Sequence, residues 1–188
     1  MIRIVGIAGS LRRDSFNRAL LRAAIRHVPD GVEMHAVDIA DVPLYDGDVE
    51  QRGVPGAVTA VKDEVIAGDG LLLVSPEYNH GIPGVMKNVI DWMSRPPADI
   101  KTVFRGRPVA VMGATPGPGG TRLAQAAWLP TLRALGTRPW FGGQLYVPKA
   151  GEAFDEQGDL VDEQARDRLR RFMQGFADFV GQESKVKR

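Results

Sequence analysis

Gly70-Leu71-Leu72-Leu73-Val74 runs directly into Ser75-Pro76-Glu77-Tyr78-Asn79-His80-Gly81, and that junction decides the fold. A short run with no polar side chain reads as a strand buried on both faces, the pattern of a parallel sheet covered by helices on either side. The polar, turn-prone stretch after it leaves the carboxyl end of that strand, where open α/β sheets bind their ligands. It carries a proline, an acid, a phenol, an amide and a glycine. That is more hydrogen-bonding capacity than a connector needs, so a ligand with a polar edge is expected against it.

The same pattern opens the chain. Met1 to Ala8 reads as a strand with no leader before it. It passes into Gly9-Ser10-Leu11-Arg12-Arg13-Asp14-Ser15-Phe16-Asn17 and then into a helical stripe of Leu21, Ala24, Ile25 and Val28. A strand, a loop rich in hydroxyls and arginine, and a helix N-terminus together make an anion site, because free backbone N–H groups and the helix dipole face the loop. Ser10, Ser15 and Asn17 offer neutral hydrogen bonds, and Arg12 or Arg13 a charge. One phosphate is the expected occupant. Ser15 also reads as an ordinary helix cap.

Outward from these two loops, strands and helices alternate. The periodicity predicts a strand at 2–8, a helix at 17–28 ended by Pro29-Asp30-Gly31, a second strand at 32–39 and a long loop at 41–53. A helix at 55–67, the strand at 70–75 and a helix from Pro83 or Gly84 to Pro96-Pro97 follow. The fourth strand is expected at 109–112. Behind it come the glycine-rich run 113–120 and a helix at 121–135, in which Pro130 predicts a kink or break. A short fifth strand near 144–147 and a last helix at 162–181 complete the pattern. Five strands and five helices in alternation imply one doubly wound parallel α/β sheet with helices on both faces. Right-handed crossovers then bring the loops after strands one, three and four to one edge. The expected domain spans 1–183, with 184–188 a frayed tail.

The 188 residues suffice for one domain. A net charge of +1 provides no field for nucleic acid or an anionic membrane, and the absence of cysteine removes disulfides, thiolate nucleophiles and cysteine-held metal. No apolar stretch nears the ~20 residues of a membrane helix. A cytoplasmic enzyme or binding domain is the expectation, with no nucleic-acid or membrane partner and no metal.

The first loop is no P-loop, since Gly-Lys-Ser/Thr is missing, and it lacks the Gly-x-Gly core of a dinucleotide fingerprint. Asp38, at the end of the second strand, imitates the ribose-binding acid of that fingerprint, but with its glycines missing the better reading is a strand-end surface acid. The glycine and proline of 116–120 suit a turn, or a backbone that a flat ring can approach. His27 and His35 read as surface residues, while His80 borders the expected site. Trp92, Trp128 and Trp140 read as core or subunit-interface anchors. Glu77 is either a proton donor or a backbone-positioning group.

Gly9-Ser10-Leu11-Arg12-x-x-Ser15-Phe16-Asn17 and Pro76-Glu77-Tyr78-Asn79, with Asn88-x-Ile90-Asp91-Trp92 downstream, resemble the NADPH-dependent FMN reductase family. Its members include flavodoxin-like quinone, chromate and azo-dye reductases. The resemblance extends through Gly119-Gly120-Thr121-Arg122 and the final helix. It implies a flavodoxin-like fold with strand order 2-1-3-4-5 and bound FMN. By the same resemblance Ser10, Leu11, Arg12, Ser15, Phe16 and Asn17 hold the phosphate and ribityl chain. Pro76, Glu77, Tyr78 and Asn79 edge the ring, and Ala114, Thr115 and Gly119 lie near its other side.

The implied activity is an FMN-dependent NAD(P)H oxidoreductase. It passes hydride from NADPH or NADH through flavin N5 to quinones or similar small acceptors (azo, nitro, chromate) by a ping-pong mechanism. No protein side chain is expected to act as the catalyst, because the flavin carries the chemistry. Arg12, Arg13 and Arg105 are the candidate contacts for a 2′-phosphate. A homodimer or homotetramer is implied. The competing readings are a flavodoxin-type single-electron carrier, against which the near-neutral charge argues, and a non-catalytic redox sensor.

Overall fold

The three most apolar strands lie side by side at the centre of a parallel sheet. In the computed structural model, which describes residues 1–186, these are β1 (Ile2–Ala8), β3 (Gly70–Val74) and β4 (Pro108–Ala114). Ile4 stands opposite Gly70 and Ala8 opposite Val74, while Leu71 stands opposite Val109 and Val74 opposite Met112. β2 (Val32–Val37) flanks β1, and the order is β2-β1-β3-β4-β5, as the flavodoxin-like reading requires. Lys187 and Arg188, within the stretch expected as a tail, lie outside the described residues.

Each central strand feeds two cores because successive side chains point to opposite faces. Ile4 and Leu72 pack with Leu20 and Leu21 of α1 (Phe16–Arg26), and with Leu169, Phe172 and Phe176 of α8 (Glu163–Val186). Val5, Leu71, Leu73 and Val109 pack on the other face. Their partners are Val61 and Val65 of α3 (Gly56–Ala67), Met86 and Val89 of α4 (Gly84–Met93), and Trp128 of α6 (Arg122–Ala134). All five residues of β3 are buried, which is why the run tolerates no polar side chain.

Three elements differ from the sequence-based expectation. The strand expected at 144–147 is present at Leu145–Val147, but a further short strand, not expected, precedes it on the same edge. β5 (Arg138–Pro139) pairs with Pro108–Val109 and β6 (Leu145–Val147) pairs with Met112–Ala114, and the chain leaves the sheet between them. The cause is Trp140, whose indole turns inward against Phe172 and Phe176 at centroid distances of 5.0 and 5.8 Å. Gly142, Gly143 and Gly175 close on it so tightly that a Cβ on Gly142 would stand 2.5 Å from its Nε1. Second, the expected loop at 41–53 contains the helix α2 (Gly47–Arg52), started by the Asp46 carboxylate accepting from the Asp48 N–H. Short helices also form as α5 (Ile100–Val103) and α7 (Ala150–Ala153).

Third, α6 does not break at Pro130, and Arg122 to Ala134 are helical throughout. A helix-interior proline costs about 3 kcal/mol. Trp128 and Leu132, fully buried on either side of it, anchor both halves to the sheet. Trp92 is fully buried as well, so both tryptophans belong to the core. Among the described residues no helix is long and apolar enough to cross a membrane.

Candidate active site

Because β1, β3 and β4 are neighbours, their carboxyl ends open onto one rim, with a cleft of about 300 Å3. Ser10, Arg12, Ser15, Phe16 and Asn17 line it from the loop after β1, and Pro76, Glu77 and Tyr78 from the loop after β3. Ala114, Thr115 and Pro116 line it from the end of β4. Ten of the thirteen residues expected at the site therefore meet there. Leu11, which is 44% exposed, does not line the cleft, nor do Asn79 and Gly119.

At one end of the cleft α1 begins. Ser15 is its N-cap, with Oγ accepting from the N–H groups of Asn17 and Arg18 at 3.2 and 3.4 Å. Its hydroxyl hydrogen remains to donate. Arg12 stands over the Phe16 ring, 5.9 Å from its centroid, and its guanidinium donates to the Asp14 carbonyl, so the cation is held at the helix N-terminus. A cation beside free helix-end N–H groups and two serine hydroxyls suits a phosphate.

Several expected ligand contacts turn out to brace the rim. Asn17 is buried, and its amide makes a two-bond pair with the Ala114 backbone, donating to the carbonyl and accepting from the N–H at 2.9 Å each. The Tyr78 hydroxyl donates to Ser10 Oγ at 3.3 Å, joining the first loop to the second. Glu77 joins the second loop to α6. Its Oε2 accepts from the N–H groups of Leu123 and Ala124 at 2.9 and 3.0 Å, capping that helix from outside, while Oε1 lies 3.3 Å from His80 Nδ1. With both oxygens engaged, Glu77 is a positioning group rather than a proton donor.

Asn79 and His80 occupy the left-handed region, with φ of 50° and 61°, at the tip of a tight hairpin in which Tyr78 and Gly81 exchange both backbone hydrogen bonds. Asparagine tolerates that conformation better than most residues. The turn alone accounts for Asn79.

The glycines divide into two sorts. A Cβ on Gly113 would lie 2.2 Å from the Ser75 carbonyl oxygen, and one on Gly9 would lie 2.6 Å from Met86 Sδ. Both are needed for internal packing. At Gly117 and Gly119 a Cβ would meet nothing within 4 Å. Their bareness serves no contact inside the protein and leaves the backbone beside the cleft approachable. A cation and helix N-terminus suited to a phosphate, with room along the β3 and β4 loops for a flat ring, fit FMN.

The downstream Asn88-x-x-x-Trp92 spacing serves a different purpose. Asn88 Nδ2 and Trp92 Nε1, one helical turn apart, both donate to the Pro43 carbonyl at 2.8 Å, strapping the 41–53 segment onto α4. Glu50 in that strap accepts from the Tyr45 hydroxyl and from Arg95, which together hold its carboxyl below the usual range. Of the two histidines expected at the surface, only His27 needs correction. His35 bonds Glu64 at 2.8 Å. Both ring nitrogens of His27 are buried without a hydrogen-bond partner, and burial, then the nearby Arg170, Arg166 and Arg26, lowers its pKa. Sequence reasoning missed Ser75, whose buried hydroxyl accepts from Trp128 Nε1 at 3.0 Å and fixes the exit of β3 to α6. Its place at the end of an apolar run was the available signal.

Comparison with known proteins agrees with this geometry. The family model for NADPH-dependent FMN reductases matches residues 2–152. An NAD(P)H-dependent FMN reductase of Pseudomonas aeruginosa is 42% identical over 179 residues, covering 95% of each chain. A 2-hydroxy-1,4-benzoquinone reductase of Burkholderia is 36% identical over 179 residues, covering 95% of this chain and 96% of that one. Among solved structures, the flavoenzyme NAD(P)H:(acceptor) oxidoreductase FerB of Paracoccus denitrificans superposes with a TM-score of 0.87 at 32% identity, covering 97% of this chain and 98% of that one.

Proposed function

The chain belongs to the NADPH-dependent FMN reductase family and is an oxidoreductase, and we propose that it holds FMN in the cleft and reduces quinones or similar small acceptors at the expense of NAD(P)H. The observation that carries this reading is the junction of three loops in one cleft, with a cation and a helix N-terminus at one end and the backbone of Ala114 to Pro116 along its β4 side. Ser10, Arg12 and Ser15 hold the phosphate. Asn17 fixes Ala114 and contributes its remaining amide hydrogen. Pro76, Glu77 and Tyr78 edge the ring on one side, and Ala114 and Thr115 on the other, with Leu11, Asn79 and Gly119 in the outer shell.

When bound, FMN supplies the two-electron chemistry, so the chain provides no base or nucleophile of its own. Its residues orient the ring and leave one face open. The nicotinamide donor and the acceptor use that face in turn, which gives ping-pong kinetics. An open face selects poorly among acceptors, so azo, nitro and chromate compounds fall within the proposed range. The chain acts as a homodimer or homotetramer. Leu44, 80% exposed in the strap that lies on α4, supports an interface there.

The test is an absorbance spectrum of the purified protein, before and after NADPH, followed by addition of a quinone. Flavin bands that bleach with NADPH and return with quinone, with stoichiometric NADPH consumption, are the expected result. A flavin that bleaches only with a protein donor would indicate an electron carrier. A protein that remains colourless in excess FMN would sink the reading.

A further inference from the structure

A second cleft, of about 270 Å3, lies on the other side of Ser10 from the first, at the carboxyl ends of β1 and β2. Ser10 lines both. The second cleft has an apolar floor, from Ala8, Ala36 and Ile39, and a basic wall made of Arg18 and Arg22. These arginines are four residues apart on α1, a spacing that puts both on one face of the helix. Asp38 draws Arg18 to the wall at 3.6 Å, and one oxygen of Asp38 is already committed to the Ala40 N–H at 3.0 Å. The charged groups that line this cleft are thus two guanidiniums and one carboxylate, a net positive site over an apolar floor. The mononucleotide occupies neither arginine in the proposed reading.

We infer that this second cleft receives the adenosine 2′-phosphate end of NADPH, with Arg22 and Arg18 binding the phosphate. The inference rests on the reductase reading and deepens it by locating the part of the cosubstrate that distinguishes NADPH from NADH. An apolar floor suits an adenine, and a guanidinium binds phosphate oxygens by charge-assisted hydrogen bonds. The end of the second strand is also where α/β folds that bind dinucleotides place the residue that reads the adenosine ribose, with arginine nearby when a 2′-phosphate is accepted. Arg12, an expected candidate for that phosphate, is engaged in the first cleft instead, and neither Arg13 nor Arg105 lines the second.

Arg22→Ala is the informative variant, because Arg22 is exposed at the surface and lies outside the FMN cleft. Binding of 2′,5′-ADP and of 5′-AMP is measured by calorimetry on the FMN-loaded wild type and on the variant. Steady-state KM values for NADPH and NADH are measured alongside. The wild type binds 2′,5′-ADP more tightly than 5′-AMP. The variant loses about tenfold or more in 2′,5′-ADP affinity, and its KM for NADPH rises by a similar factor, the scale of one charge-assisted contact. Its KM for NADH, its kcat and its FMN affinity stay unchanged. Equal 2′,5′-ADP affinity in the two proteins, or KM values for NADPH and NADH that move together, overturns the inference. The calorimetry needs no turnover. Failure of the reductase reading would appear separately, as absence of NADPH oxidation in the wild type.

Discussion

Two glycines near the rim predict opposite outcomes for the same change. Gly113→Ala forces a methyl to within 2.2 Å of the Ser75 carbonyl oxygen, backbone that cannot swing away. Overpacking of that kind costs about 1–3 kcal/mol or more, so the urea midpoint falls steeply. Gly119→Ala meets open space and leaves that midpoint unchanged, but it reduces FMN affinity measured by fluorescence titration. A drop in stability at Gly119 would mean that its bareness serves the fold after all. Arg12→Ala weakens FMN binding by about tenfold to a hundredfold, from a charge-assisted phosphate contact of about 1.5–3 kcal/mol. The same titration reads it, and unchanged affinity would displace the phosphate from this loop. Residue types were legible at this scale while their partners were not. Asn17 looks identical in sequence whether its amide faces a ligand or, as found, the Ala114 backbone ninety-seven positions away.

Elements were legible where hydrophobic periodicity was strong and obscured where the packing of one large side chain overrode it. α1, β3 and α4 follow their patterns closely. The Arg138–Val147 edge does not, because sinking the Trp140 indole onto Phe172 and Phe176 outweighs two or three ladder hydrogen bonds. Pro130 does not end α6, since local backbone preference yields to the burial of Trp128. The junction of α1 with α8 gives a prediction of its own. His27, the C-cap of α1, is held neutral in the fold by burial and by Arg170 and Arg166 of α8. A lowered folded pKa means that stability is intact above the unfolded value of 6.5 and drains away as pH falls through it, because the unfolded chain takes up the proton first. His27→Phe removes that drain. Its unfolding free energy therefore gains on the wild type as pH drops from 7 to 5. Parallel pH profiles for the two proteins would exclude the effect.

For the molecule as a whole, the doubly wound sheet and the placing of three loops on one edge followed from alternation and crossover handedness, while the strand order came from the family resemblance. Those rules act on connectivity and do not depend on the details of packing. The second cleft beside β2 escaped notice because Arg18 and Arg22 sit on a helix face that reads as ordinary solvated charge. Linkage gives the global prediction. A ligand bound only by the folded state adds about 2.7 kcal/mol at a hundredfold excess over its Kd. FMN therefore raises the thermal midpoint in a concentration-dependent way, and riboflavin, which lacks the phosphate, raises it less. Equal shifts from the two would argue that Arg12 and Ser15 make no phosphate contact.

The paired amide of Asn17 and the Ala114 peptide has one more consequence. It acts as an extra rung across the open end of the sheet, so the mouth keeps its shape before any guest arrives. Entry then demands little reorganisation, and arrival is governed by diffusion and charge. On the proposed alternation of donor and acceptor at one face, the slow event of the cycle falls to departure of the spent guest.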